Sequence, residues 1–179
     1  PIADEDTGCI QIRRKYDNRK NRLESSCHDQ DGQLVMGRKG WARIKNVYDE
    51  QDNRVERAYF DADDALVVVE DGYAKVKTTF NDRGKATAFV YLGVDDLPIA
   101  SKRGVSRALQ NFDDSGRLVR AAYLGLEGQP VNGQDGWATR VVSFDDAGKE
   151  LSDVYTDAKG KVLDTQTVQR NTRLRKQGL

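Results

Sequence analysis

Glycine recurs at Gly8, Gly40, Gly72, Gly104 and Gly136, a step of 32 residues with no insertion or deletion. A fixed period of that length constrains the fold more than any local pattern. Each period must be one supersecondary unit that buries its apolar face on its neighbours. Numbered from its glycine, each repeat places Cys9, Trp41, Tyr73, Val105 and Trp137 at position two. Position nine holds Tyr16, Tyr48, Phe80, Phe112 and Phe144, and position twenty holds Cys27, Tyr59, Tyr91, Tyr123 and Tyr155. Of 14 aromatic residues (two Trp, seven Tyr, five Phe), these three positions hold 12, so the repeat decides where bulky apolar surface goes. Residues 1–179 read as a single array of repeats 8–39, 40–71, 72–103, 104–135 and 136–167, with a C-terminal tail, 168–179. Val168 stands where a sixth glycine would fall, and Arg170, Arg173, Arg175 and Lys176 make the tail basic. The tail reads as a last pairing strand or a frayed end.

Each repeat reads as β structure. From position two to nine the residues alternate loosely, as in Trp41, Arg43, Lys45 and Val47 against Ala42, Ile44, Asn46 and Tyr48. Alternation over about eight residues predicts a half-buried strand. A turn signal follows, Asp113-Asp114-Ser115-Gly116 and Asp145-Asp146-Ala147-Gly148. Asp caps the turn backbone and Gly takes the left-handed position, which predicts a type I turn with a glycine bulge. A second strand carries the tyrosine of position twenty, and a second turn comes at Asp29 to Gly32, Asp61 to Asp64 and Asp157 to Gly160. A short apolar piece, such as Leu34-Val35 or Leu66-Val67, leads to the next glycine. No stretch carries a capped helical stripe, so no long helix is expected. The fold expected is all-β: an elongated array of five 32-residue β-hairpin repeats, solenoid-like or an extended sheet, in which neighbouring hairpins stack through their aromatics.

Composition narrows the function. The 29 basic and 29 acidic residues cancel, which argues against a nucleic-acid binder. No run of about 18 apolar residues is present, so no membrane span is expected within the chain. One histidine and two cysteines leave no material for a histidine triad or a His/Cys zinc cluster, and no metal site is expected. Pro1 is not an initiating residue, so a missing targeting segment carries no weight. His28 adjoins Cys27, but neighbouring strand residues point to opposite faces, so it reads as an ordinary surface histidine. The recurrent aspartates have turn roles that account for them without calcium, and none is singled out for catalysis, so no cofactor or catalytic residue is expected.

Three sets of residues are candidates for function. Cys9 and Cys27 replace aromatics at positions two and twenty of one repeat. They read as a disulfide, one diagonal apart on the hairpin and brought together by a bulge, or as two small buried thiols. A disulfide implies an extracytoplasmic protein. Trp41, Tyr73 and Trp137 form a column that would bind a glycan or a protein partner if exposed, and would be core if buried. Arg13, Arg14 and Lys15 form a basic run able to contact an anion, or a solvated strand edge.

Phe112-Asp113-Asp114-Ser115-Gly116-Arg117-Leu118 resembles the tyrosine–aspartate (YD, or RHS-like) repeat of bacterial proteins, and Tyr48-Asp49 and Phe144-Asp145 head similar segments. The Gly-aromatic-Ala leader at Gly40, Gly72 and Gly136 looks like hairpin repeats of large bacterial proteins. The resemblance covers the rhythm of the array, but this period is longer and Phe often replaces Tyr. It implies a periplasmic, cell-surface or secreted β-repeat segment and no toxin role. The function expected is a non-enzymatic ligand- or partner-binding module, such as a receptor's sensor region; the alternative is a purely structural scaffold or spacer.

Overall fold

The computed structural model describes residues 7–168. The basic tail residues Arg170, Arg173, Arg175 and Lys176, expected as a last strand or frayed end, lie outside the described residues. The protein is all-β, and its strands follow one another in a single sheet in the order β1 to β11. They are β1 (Gln11–Tyr16), β2 (Arg22–His28), β3 (Arg43–Tyr48), β4 (Arg54–Phe60), β5 (Lys75–Phe80), β6 (Ala86–Leu92), β7 (Arg107–Phe112), β8 (Leu118–Leu124), β9 (Thr139–Phe144), β10 (Glu150–Thr156) and β11 (Val162–Leu163). Residues 165–168 make one helical turn.

The backbone keeps the 32-residue rhythm. Among the described residues, four non-glycine and eleven glycine residues have positive φ. Every one falls at position one, thirteen or twenty-five of a repeat. Position thirteen closes the hairpin turn. There the Lys20 amide donates to Asp17 O (3.1 Å) and the Asp17 amide to Asn21 O (3.0 Å). The register slips beside it, between Lys15 and Tyr16, as the glycine-bulge turn requires. The turn aspartate holds the loop: Asp49 Oδ1 accepts from the amides of Gln51 (3.0 Å) and Asn53 (2.8 Å). Position twenty-five closes the second turn in the same manner, with Asp29 Oδ1 accepting from Asp31 and Gln33.

A third turn, at positions thirty to one, was not legible in the sequence. The Gly40 amide donates to Gly37 O (3.1 Å) and the Gly37 amide to Trp41 O (2.9 Å). The same pair of bonds recurs at Val69–Gly72–Tyr73, Ser101–Gly104–Val105 and Gly133–Gly136–Trp137. This corrects the expected strand start. Position two spends its carbonyl on that turn, so the strands begin at position four. Position three bonds on both sides: the Ala42 amide donates to Phe60 O (2.8 Å), and Ala42 O accepts from the Cys27 amide (2.9 Å). Ala42, Ala74 and Ala138 are wholly buried there, which explains the small residue after the aromatic.

Hairpins join edge to edge. β2 pairs with β3 through Glu24↔Lys45, Ser25↔Ile44 and Ser26↔Arg43, and β4–β5 and β8–β9 repeat that antiparallel register. Neighbouring hairpins therefore join by strand pairing into one sheet, with aromatics of adjacent repeats in contact, as Tyr59 with Tyr73 and Tyr123 with Trp137.

The chain forms two compact units, Pro1–Phe80 with Val90–Ile99, and Asn81–Phe89 with Ala100–Leu179. In the first, Cys9, Cys27, Trp41 and Val69 form the core, with Ile12, Val35, Ile44, Tyr59 and Tyr73 against it. In the second, Ala121, Trp137, Tyr155 and Val168 form the core, with Leu118, Tyr123 and Leu163 packed on it. Val168 thus meets the aromatics of the fifth repeat. Position nine belongs to neither core, and Tyr16 is 55% exposed.

Candidate functional site

The aromatic column is interior. Trp41 is 6% and Trp137 8% exposed, and Tyr73 is half-buried. Tyr73 and Trp137 each insert between two tyrosines of position twenty, whereas Trp41 packs with Cys9, Cys27 and Val69. Tyr73 lies 6.0 Å from Tyr59 and 4.7 Å from Tyr91, ring centre to ring centre. Trp137 lies 4.5 Å from Tyr123 and 5.7 Å from Tyr155. Offset and edge-on contacts of this kind add about 0.5–1.5 kcal/mol each to the gain from burial. Of the two uses set out for the column, burial of both tryptophans favours the core.

Cys9 and Cys27 take the place of one such interleaved pair and are disulfide-bonded, with Cα atoms 5.3 Å apart. Cys9 precedes β1, and Cys27 pairs with Ile12 in the register, so the bridge runs from the leader to the strand. No bulge brings the two together; the leader itself folds over the sheet face.

Burial holds the Tyr73 phenol well above its ordinary value of 10.0, and the phenols of Tyr59 and Tyr91 and the carboxylate of Asp71 push the same way. Burial also raises Tyr155. A folded-state value above the unfolded one means that the stabilisation is complete below pH 10 and is lost as pH rises through the folded value. Alkaline titration should therefore release phenolate absorbance in two phases. The late phase should begin above pH 10 and coincide with loss of the far-ultraviolet dichroism of the sheet. A single early phase with the sheet intact would count against an interior column.

The opposite sheet face is charged in the first unit. Arg43 Nη1 reaches Asp64 Oδ1 (2.6 Å), and Lys45 Nζ reaches Asp64 Oδ2 (2.9 Å). Lys75 Nζ reaches Asp96 Oδ1 (2.8 Å) and Glu56 (3.7 Å). Lys45 and Arg43 hold the Asp64 carboxyl below the usual range, as Lys75 does for Asp96. These two aspartates carry positive φ at position twenty-five, where the other repeats place glycine. Left-handed backbone costs an L-residue about 1–2 kcal/mol, which the ion pairs partly offset.

The basic run does not form one patch. Alternation sends Arg13 and Lys15 to the charged face and Arg14 to the face of Ile12 and Cys27. Lys15 Nζ pairs with Glu24 (3.1 Å). Arg13 Nε donates to Gln11 Oε1 (3.0 Å).

Sequence reasoning missed one polar pair. His28, expected at the surface, is 8% exposed, and Ser26 is 7% exposed. His28 Nδ1 lies 3.0 Å from Gly32 O and its Nε2 lies 2.9 Å from Ser26 Oγ. A carbonyl only accepts, so Nδ1 carries a proton, and the neutral ring's Nε2 accepts from the serine. The available signal was the repeat itself. Position nineteen reads Ser26, Ala58, Val90, Ala122, Val154, and position twenty-one reads His28, Phe60, Leu92, Leu124, Thr156. A Ser-x-His spacing on a strand also puts both side chains on one face.

The turn carboxylates are occupied by backbone amides, and among the described residues no group of three or more His, Cys, Asp or Glu side chains is arranged to hold a metal ion. Among them, no helix is long and apolar enough to cross a membrane. No protein-family model matches the chain, and no curated protein matches it.

Proposed function

We propose that this chain is a structural module, a scaffold or spacer segment of a bacterial extracytoplasmic repeat protein, without catalysis of its own. The observation that carries this reading is the burial of Trp41 and Trp137, the latter between two position-twenty rings, which supports a role for the recurrent aromatics in cohesion between repeats. Two further features support it. Opposite charges on neighbouring repeats pair across them: Arg19 Nε with Asp52 (3.0 Å), and Lys75 with Glu56. The buried disulfide suits an oxidising compartment, as does the resemblance to tyrosine–aspartate repeats.

The test is a glycan and peptide screen read by tryptophan emission. A scaffold predicts blue-shifted emission, weak quenching by acrylamide, and no saturable change with any probe. Saturable binding that disappears in a folded Trp41→Leu or Trp137→Leu variant would restore the ligand-binding module. The compartment is tested by blocking thiols at lysis of the native source. Quantitative alkylation of Cys9 and Cys27 would remove the extracytoplasmic part of the proposal.

A further inference from the structure

Repeat one departs from its neighbours on the charged face. Position six carries a cation in repeats one, two and three: Arg13, Lys45 and Lys77. In repeats four and five it is apolar, Leu109 and Val141. Position twenty-five carries a carboxylate in repeats two and three, Asp64 and Asp96, and glycine in the other three, Gly32, Gly128 and Gly160. Cation and acid are thus present together in two repeats and absent together in two. Repeat one has the cation without the acid.

The geometry matches this pairing in repeat two, while in repeat three Asp96 takes Lys75 of position four. In repeat two, Lys45 Nζ reaches the position-twenty-five carboxylate at 2.9 Å. In repeat one, Arg13 Nη2 extends to the same place, 2.8 Å from where a Cβ on Gly32 would lie. Among the described residues, no carboxylate lies within ion-pair distance of Arg13, and its Nε donates to the neutral amide of Gln11. With Nε held there, the two Nη groups remain to take a carboxylate through its two oxygens. The cross-strand partners at positions nineteen and twenty-one are polar in this repeat and apolar in repeat two. Arg13 pairs across the sheet with Ser26 and Gln11 with His28, where repeat two has Ala58 and Phe60. His28 Nδ1 donates to Gly32 O, which fixes the loop beside the guanidinium.

We infer that Arg13 beside Gly32, in a loop held by the Ser26–His28 pair, forms a binding site for the carboxylate of a small organic acid, which takes the place that Asp64 fills in repeat two. This site is separate from the aromatic column and does not depend on the scaffold reading. Acetate is chemically the free form of an aspartate side chain, so it is the minimal probe. A ligand of four heavy atoms binds weakly, and millimolar affinity is expected.

The experiment is an NMR titration of the full chain with sodium acetate, against sodium chloride and inorganic phosphate at matched ionic strength. The site predicts saturable shifts of the Arg13 Nε–H and the Gly32 amide with acetate only. Arg13→Gln should weaken the response by about tenfold or more. Gly32→Asp should abolish it, by supplying the carboxylate internally; Asp64 and Asp96 show that the backbone position accepts aspartate, and the crowding atom is the end of a flexible side chain. Arg19→Gln, in a turn already paired with Asp52, should leave the response intact. If Gly32→Asp fails to fold, Arg13→Gln alone decides. Linear shifts with every salt, or an unchanged response in Arg13→Gln, would overturn the site. Tighter binding of phosphate than of acetate would overturn its assignment to carboxylates.

Discussion

Trp137→Ala should destabilise the protein by about 3–5 kcal/mol, measured by urea unfolding. The indole is 8% exposed and touches two phenols, so truncation removes both its own burial and a surface on which Tyr123 and Tyr155 rest. The neighbours cannot close the gap easily. Gly133 already lies so near Tyr123 that a Cβ there would clash with its ring, and Ala138, next to the indole, is wholly buried with both its amide and its carbonyl bonded. A cavity that does not collapse puts the cost at the upper end of the range. Trp137→Phe should recover part of the loss. Tyr16→Ala is the control. It deletes an aromatic of the same repeat pattern at a position 55% exposed, and should cost less than about 1 kcal/mol. Equal effects at the two positions would mean that the aromatics of position two have no special place in the core.

That contrast marks how far the sequence could be read. The period, the β class and two of the three turns were legible because turn chemistry is local: Asp at the first position and a left-handed residue at the fourth are needed whatever surrounds them. The assignment held even where Lys20 and Asp52 replace the expected glycine, since their neighbours preserve the motif. The third turn was hidden because it has no aspartate at its first position. At Val69 to Gly72 and Ser101 to Gly104 its one constant residue is the glycine that had served only as the ruler of the repeat. Aromatic periodicity also overstated the core. Position nine recurs as strictly as position twenty, yet it sits at the hairpin end, where Tyr48 donates to Arg22 O (3.2 Å) and Arg117 covers the Phe144 ring at 4.4 Å. Periodicity reports that a residue has the same place in each repeat, and burial depends on what faces that place. The candidate site was legible for the opposite reason. The run Arg13, Arg14, Lys15 was read as a patch from adjacency, whereas strand alternation separates it. What isolates Arg13 is the absence of an acid at position twenty-five, visible only when repeats are laid one upon another.

Replacing Cys9 and Cys27 together by alanine should cost about 3 kcal/mol, the value expected for releasing a bridge that spans 18 residues. The two sulfurs are also core atoms. Cys9 is 1% and Cys27 0% exposed, and they pack with Trp41 and Val69. Reduction alone should therefore cost less than the double alanine change, because the thiols stay in place to fill the volume. The repeat supplies a sharper variant. Cys9→Trp with Cys27→Tyr rebuilds the pair that repeat five carries as Trp137 and Tyr155. Room for the tyrosine exists by analogy: Gly37 lies against the sulfurs, with a Cβ there 3.3 and 3.4 Å away, as Gly133 lies against Tyr123. Relative to the alanine pair, the aromatic pair should regain about 1 kcal/mol or more, while becoming insensitive to reductant. An alanine pair as stable as the parent would mean that the bridge constrains nothing the fold does not already constrain. An aromatic pair less stable than the alanine pair would mean that repeat one is built around sulfur. Recovery would instead show that disulfide and aromatic stack are alternative ways to close the same leader over the same strand, and that oxidation is dispensable to the fold itself.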